Sequence, residues 1–287
     1  MGRSLPKSLK TMLLAKPDGA ETKNLDPASE LLVCVNKAIT KLALDGIRPP
    51  SRAFHPSSMQ CERNMFYQLK GVAPEKGDVS VELVGICDSG TDRHLRLQSL
   101  ISGEHMGRLG WHYLDVGEYV RKKGFPHLDV VGHGQMETKL YDHERNVSFM
   151  TDGILHWDYT NKDYVLEIKT EASAKFYKRN GVDPKHYDQG TMYALEFGLE
   201  DTIFLYESRD TTAHKTFLYH VTPQMKSAKE AQIAYVTQCV QTNTLPPKPS
   251  AEVQKYACSY CPYANMCHMN HNGDGLIHPK FVEEDAK

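Results

Sequence analysis

Residues 149–159 read Phe-Met-Thr-Asp-Gly-Ile-Leu-His-Trp-Asp-Tyr, residues 160–163 Thr-Asn-Lys-Asp, and residues 164–170 Tyr-Val-Leu-Glu-Ile-Lys-Thr. Aromatic and apolar residues fill the first and last of these runs, as they do in strands, and the polar tetrapeptide between them suits a turn. A hairpin is the simplest reading. In the returning strand, alternation sets Leu166, Ile168 and Thr170 on one face and Val165, Glu167 and Lys169 on the other.

An acid and a lysine side by side on a half-buried strand are costly to desolvate unless a further partner joins them. A divalent cation held by Asp152 and Glu167 would be such a partner, and oxygen ligands suit Mg²⁺ or Mn²⁺. A site of that kind can hydrolyse a phosphodiester: the metal polarises the phosphate and acidifies a water, while Lys169 orients that water or stabilises the developing charge. Taken alone, the spacing Asp-x14-Glu-x-Lys is equally compatible with a solvated acid and base pair on an exposed sheet face.

The rest of the chain frames this stretch. Its 287 residues, 40% of them hydrophobic, are enough for one catalytic core with appendages. With 34 basic against 36 acidic residues the chain has no general attraction for polyanions, so any nucleic-acid contact must come from local patches. No apolar run approaches the roughly 20 residues that span a bilayer, and no signal peptide is evident, so a cytoplasmic protein without a membrane partner is expected.

Four regions are expected: a flexible basic arm (1–26), a helical region carrying Cys61 (27–84), a core (85–244) and a cysteine-bearing segment with an acidic tail (245–287). Pro27 opens a helix reaching about Leu44, with Leu31, Val35 and Leu42 on an apolar packing stripe. Residues 55–71 read as a Ser-capped helix that ends on Gly71, with Cys61 in its first turns. Helical periodicity returns at 84–100 around His94, a residue type more often structural than ligating when it stands alone. A strand follows at 132–141, in which Glu137 has no evident role. Lys175, Lys178 and Arg179 lie in a basic segment interleaved with Phe176 and Tyr177, which reads either as a phosphate-binding patch or as a solvated loop. In the helix at 184–197, Gln189 and Tyr193 share a face; the strand at 202–208 should then lie parallel to an earlier one, giving the core order αβββαβ. A strand at 215–221 and a helix at 223–242 complete the core.

Three of the seven cysteines form a C-x2-C-x5-C pattern, Cys258, Cys261 and Cys267, which lacks a local fourth thiolate. Such crowding suits a metal or cluster site in a reducing compartment. Zinc could take His268 or His271 as its fourth ligand; an iron-sulfur cluster prefers four cysteines, for which Cys61 is the remote candidate. Cys34, Cys87 and Cys239 read as small buried hydrophobes in helices.

Between Ser57 and Cys267 these residues resemble the PD-(D/E)XK nucleases, in the branch of RecB, AddB and the CRISPR-associated Cas-four exonucleases with their phage-encoded relatives. That branch orders a helical His, a strand Asp, Glu-x-Lys and a Gln-x3-Tyr helix, similar to His94, Asp152, Glu167 with Lys169, and Gln189 with Tyr193. Its iron-sulfur members bracket the core with an early Cys and a late C-x2-C-x5-C, as Cys61 and the terminal three do here. Glu62 stands where a proline often follows the early Cys, and no helicase domain accompanies the motifs.

The resemblance implies an α/β, restriction-endonuclease-like core with helical flanks joined by a 4Fe-4S cluster on Cys61, Cys258, Cys261 and Cys267. It implies Mg or Mn held by His94, Asp152, Glu167 and the carbonyl of Ile168, with Lys169 assisting attack. Gln189 and Tyr193, with Lys175, Lys178 and Arg179, would position DNA, single-stranded or at duplex ends. The activity expected is that of a DNA exonuclease in recombination, repair or phage DNA processing, beside a single-strand annealing or recombination protein. Two other readings stay open: a DNA-binding or assembly subunit that cleaves little, and a zinc-stabilised interaction protein.

Overall fold

A computed structural model describes residues 26–45, 51–74, 80–134, 136–259 and 261–269. The chain falls into two compact units, residues 1–46 and 47–287. Within the first, helix α1 (Pro27–Asp45) starts where expected, and none of its residues is buried, so its apolar stripe is not packing surface there. The basic arm at 1–25, His271 and the acidic tail lie outside the described residues.

The second unit begins with a 3-10 turn at Pro56–Ser58 and helix α2 (Glu62–Leu69). Cys61, rather than a serine, occupies the N-cap of α2 and offers no side-chain cap. Gly71 closes the segment at φ 68, the left-handed conformation that a helix exit requires. Helix α3 (Val81–Ile101) starts on Ser80, whose hydroxyl accepts the Leu83 N–H. A short helix α4 (Glu104–Arg108) leads to strand β1 (Trp111–Leu114), and helix α5 (Val116–Lys123) to β2 (Leu128–His133). Then come β3 (Thr138–Asp142), β4 (Val147–Thr151), β5 (Gly153–Trp157) and β6 (Lys162–Glu171). Helices α6 (Ser173–Phe176) and α7 (Tyr187–Glu196), strands β7 (Asp201–Ser208) and β8 (His214–His220) and helix α8 (Pro223–Gln241) follow. The cysteine segment folds into α9 (Ala251–Ala257) and α10 (Ala264–Met269).

Two sheets result: β1-β5-β6-β7-β8, and β2-β3-β4. Strand β6 pairs antiparallel with β5 and parallel with β7, so the larger sheet is mixed. The order αβββαβ is present as α3, β1, β5, β6, α7 and β7, but its strands differ from the expected ones. The first is β1, a four-residue strand too short to register in the sequence pattern. Residues expected as one strand at 132–141 belong instead to β2, β3 and the turn between them, in the smaller sheet.

The same division falls inside the leading stretch. Residues expected as one strand at 149–159 are split at Asp152: β4 pairs in the small sheet, and β5 in the large one. The chain turns this corner at Gly153, with φ 154, where a Cβ would collide with the ring of Tyr113. Only glycine lets the backbone approach that ring so closely.

Leu166 and Ile168 pack with Leu97, Ile101 and Leu155, on the α3 side of β6. Val165 joins the larger core of Phe54, Met65, Ile154, Met192, Val236 and others. At the free edge the two tryptophans of the chain, Trp111 on β1 and Trp157 on β5, stand opposite one another and stack at 4.9 Å with an interplanar angle of 4°. Among the described residues no helix is long and apolar enough to cross a membrane.

Gly153→Ala should lower stability by about 2 to 3 kcal/mol, because both the backbone and Tyr113 must shift. Urea unfolding of the two proteins measures this, and equal midpoints would show that the corner has slack.

Candidate active site

The corner brings acids from both sheets, and a histidine from α3, to one place. Asp152 is 5% exposed, and each of its oxygens is engaged. Oδ2 accepts the backbone N–H of Ile168 at 2.6 Å, and Oδ1 lies 3.0 Å from His94 Nδ1. Its carbonyl accepts from Gln98 Nε2 at 2.9 Å and from the Tyr113 hydroxyl at 3.2 Å. Helix α3 is thereby held to the corner by His94 and Gln98, two positions one turn apart on one helical face.

Glu167 is 3% exposed and pairs with Lys169 on the same strand face, Nζ to Oε1 at 2.5 Å. Lys169 also donates to Gln189 Oε1 at 2.9 Å. Gln189 Nε2 donates to the Tyr193 hydroxyl at 2.9 Å, and that hydroxyl to the Met150 carbonyl at 2.6 Å. This chain fixes the lysine between β6 and α7 and spans back to β4. Burial pushes the Glu167 carboxyl up to about 7, with Lys169 opposing and Asp152 adding to the rise. His94 is raised by its bond to Asp152 in spite of burial, which acts the other way.

Glu137, for which the sequence offered no role, stands in the same cluster. Thr138 pairs with Thr151, so the preceding glutamate arrives beside Asp152. One ligand atom from each of His94, Glu137 and Asp152 lies within 4.8 Å of the others. Burial and the Asp152 charge push the Glu137 carboxyl up. No local spacing could reveal it, because its proximity comes from the pairing of β3 with β4. The cluster opens into a cavity of about 400 Å³, whose far wall carries His55, Ser57 and Lys139, also unmarked in the sequence.

The basic segment behaves otherwise than expected. Arg179 donates to both oxygens of Glu171 at 2.5 and 2.6 Å, lies 3.2 Å from Asp183 and covers the Tyr206 ring at 4.2 Å. Lys175 is held by Asp183 at 2.5 Å. Arg179 and Lys175 are thus paired with acids of β6 and of the loop after α6, and neither they nor the exposed Lys178 line the cavity.

A second constellation lies at the chain's later helices. Cys61, Cys258, Cys261 and Cys267 line one small pocket with Arg63, Asn64 and His268. Burial, and then the neighbouring thiols, push the thiols of Cys61, Cys258 and Cys261 up. Arg63 lies 3.7 Å from the Cys267 sulfur, and Asn64 Oδ1 is buried there without a hydrogen bond. Cys239 is buried as expected, whereas Cys34 and Cys87 are exposed.

No protein family and no curated protein matches this chain. Among solved structures it is similar to the crystal structure of SSO0001, at 18% identity over 85% of this chain and 98% of that one, with a TM-score of 0.44. It is similar also to an alkaline exonuclease, LHK-Exo, from Laribacter hongkongensis, at 10% identity over 72% and 94% with a TM-score of 0.42. The same LHK-Exo in complex with dAMP gives 11% identity over 67% and 90%, again at 0.42. Similarity this distant assigns no chemistry, which must come from the side chains.

In metal-free protein Glu167 keeps its proton to a higher pH when folded than when unfolded, where an ordinary glutamate titrates near about 4.3. The folded state therefore loses stability as pH rises through that interval to about 7. Wild type should lose stability relative to Glu167→Gln between about pH 5 and pH 8. Parallel stability curves from chemical denaturation at several pH values would refute this.

Proposed function

We propose that this chain is a metal-dependent DNA exonuclease with a PD-(D/E)XK, restriction-endonuclease-like core, hydrolysing phosphodiester bonds at DNA ends. The observation that carries the reading is the joint placement of Asp152, Glu167 and Lys169: the Ile168 N–H ties the aspartate to the strand from which the other two project. A solvated acid and base pair would be neither buried nor locked to a second carboxylate, so the bland account of the spacing has little left to explain.

The donor set fits a divalent cation. A buried Asp, a raised Glu, a second raised Glu and a histidine form an excess of negative charge that Lys169 alone does not balance. His94, Asp152 and Glu167 with the Ile168 carbonyl would hold Mg²⁺ or Mn²⁺, and Glu137 stands within reach as a further ligand. When bound, such an ion supplies polarisation of a phosphate oxygen and acidification of a water.

The remaining work falls to the chain's own groups. Lys169, fixed by Glu167 and Gln189, holds a positive charge at the cavity wall where negative charge would develop on the phosphate. Gln189 and Tyr193 set that lysine's position, and their own reach toward a DNA strand is through the cavity they line. The cavity has room for a nucleotide but is acidic at its base, so a DNA strand would be admitted against the acids' charge only once a cation is in place.

For the cysteine pocket the same reading includes a 4Fe-4S cluster on Cys61, Cys258, Cys261 and Cys267, joining α2 to the last helices. What supports it is that four cysteines, the ligand set such a cluster prefers, line one pocket. Roles in recombination or repair, and an annealing partner, belong to this reading as well.

Asp152→Ala, Glu167→Ala and Lys169→Ala should each lower cleavage of end-labelled linear DNA in Mg²⁺ or Mn²⁺ by at least about 100-fold, with folding retained. Near wild-type turnover in Lys169→Ala would overturn the proposal. Independently, Cys61→Ala and Cys258→Ala should lose iron and the visible chromophore of anaerobically purified protein, while Cys34→Ala and Cys87→Ala keep both. Iron retained in Cys61→Ala would place the fourth ligand elsewhere.

A further inference from the structure

Away from the cavity, three ligating side chains converge from three elements. His127 precedes β2, Asp142 closes β3 and Glu196 closes α7. A ring nitrogen of His127 and one carboxylate oxygen from each acid lie within 4.8 Å of one another. Both acids are 0% exposed.

The two carboxylates are in different states. Asp142 is largely engaged: Oδ1 accepts the N–H groups of Glu144 and Arg145 at 2.7 and 3.0 Å, and Oδ2 lies 3.1 Å from the Arg145 guanidinium. The Glu196 carboxyl receives no N–H or O–H donor among the described residues, and its contact with Asp142 is between two carboxyl groups, which attract only if one of them holds a proton. His127 Nε2 lies 3.5 Å from Oε2, and that nitrogen sits closer to the Glu196 carbonyl, at 3.2 Å. A carboxylate buried without donors is among the costliest arrangements a fold can hold.

Charge accounting points the same way. Arg145 joins Asp142 to Glu230, so one positive charge faces three acids once Glu196 is included. Two negative charges are left over, which is what one divalent cation carries. Burial, and then the Asp142 charge, push the Glu196 carboxyl up to about 9 when no such ion compensates it.

We propose that His127, Asp142 and Glu196 form a second cation site, separate from the Asp152 cavity, that takes Zn²⁺. One imidazole and two carboxylates make a set of three protein ligands of the kind that zinc takes. The ion would tie the β2 and β3 hairpin to the end of α7, the helix that presents Gln189 and Tyr193 to the cavity. Its role is structural and does not rest on the nuclease reading.

The test is zinc content after equilibrium dialysis, with thermal melting, for the full chain and for Glu196→Gln, His127→Asn, Asp152→Asn and the His127→Asn/Asp152→Asn pair. Glu196→Gln and His127→Asn should each bind one zinc fewer than wild type. Losses in Asp152→Asn and His127→Asn should add in the pair, since two places are involved. Zinc should raise the melting temperature of Asp152→Asn by on the order of 5 °C more than that of the pair, the cysteine pocket being the same in both. The His127 ring is partly at the surface, so His127→Asn decides the matter if Glu196→Gln does not fold. A wild-type zinc count in folded His127→Asn, or losses that fail to add, would overturn the site and assign the cluster to a proton shared by Glu196 and Asp142.

Discussion

A single hydrogen bond organises the molecule: the Ile168 N–H donating to Asp152 Oδ2. It joins the residue at which the chain leaves one sheet to the central strand of the other. Pairing of β6 with β5 ends at Leu166, so at the fully buried Ile168 only the β7 side is paired by a strand, and the carboxylate is the partner that completes the ladder on the other. The same bond fixes the acid's second oxygen toward His94. Geometry that a substrate would use is thus a by-product of satisfying the backbone.

Charge in this protein is arranged by burial more than by number. Near neutrality overall conceals an acidic pocket base beside Lys169, and a second acidic cluster around Arg145. The lysines and the arginine that follow β6 look in sequence like a strip for polyanions, yet Arg179 and Lys175 are bound by Glu171 and Asp183. A bidentate guanidinium stacked on a tyrosine is poorly placed to leave for a phosphate. The lysines that line the cavity are Lys169, on β6 itself, and Lys139, on β3.

Local pattern was enough for the strand faces of 164–170, for the helices around His94 and Gln189, and for the parallel placement of β7. Each depends on a period of two or of 3.6 residues within one segment. What escaped was what depends on pairing between segments. The corner at Asp152 looked like continuous strand because Thr-Asp-Gly within an aromatic run carries no sign of a change of sheet. Glu137 and the trio of His127, Asp142 and Glu196 are drawn together by the β2, β3 and β4 pairings and by the end of α7, none of which has a spacing to read. Thiol-rich spacing is rare enough to mark Cys258, Cys261 and Cys267 in the sequence, and Cys61 lines the same small pocket as those three.

The stacked pair at the sheet edge has an optical meaning. Trp111 and Trp157 are the only tryptophans in the chain, and stacked with nearly parallel planes they act as one coupled chromophore rather than two. Indole emission therefore reports on a single location, the pairing of β1 with β5, next to the corner where Tyr113 covers Gly153. Loosening of the cysteine-bearing helices would pass unseen in that signal and would need a tyrosine or backbone probe. Any difference between the two kinds of trace measures how far the edge of the sheet and the end of the chain unfold as one.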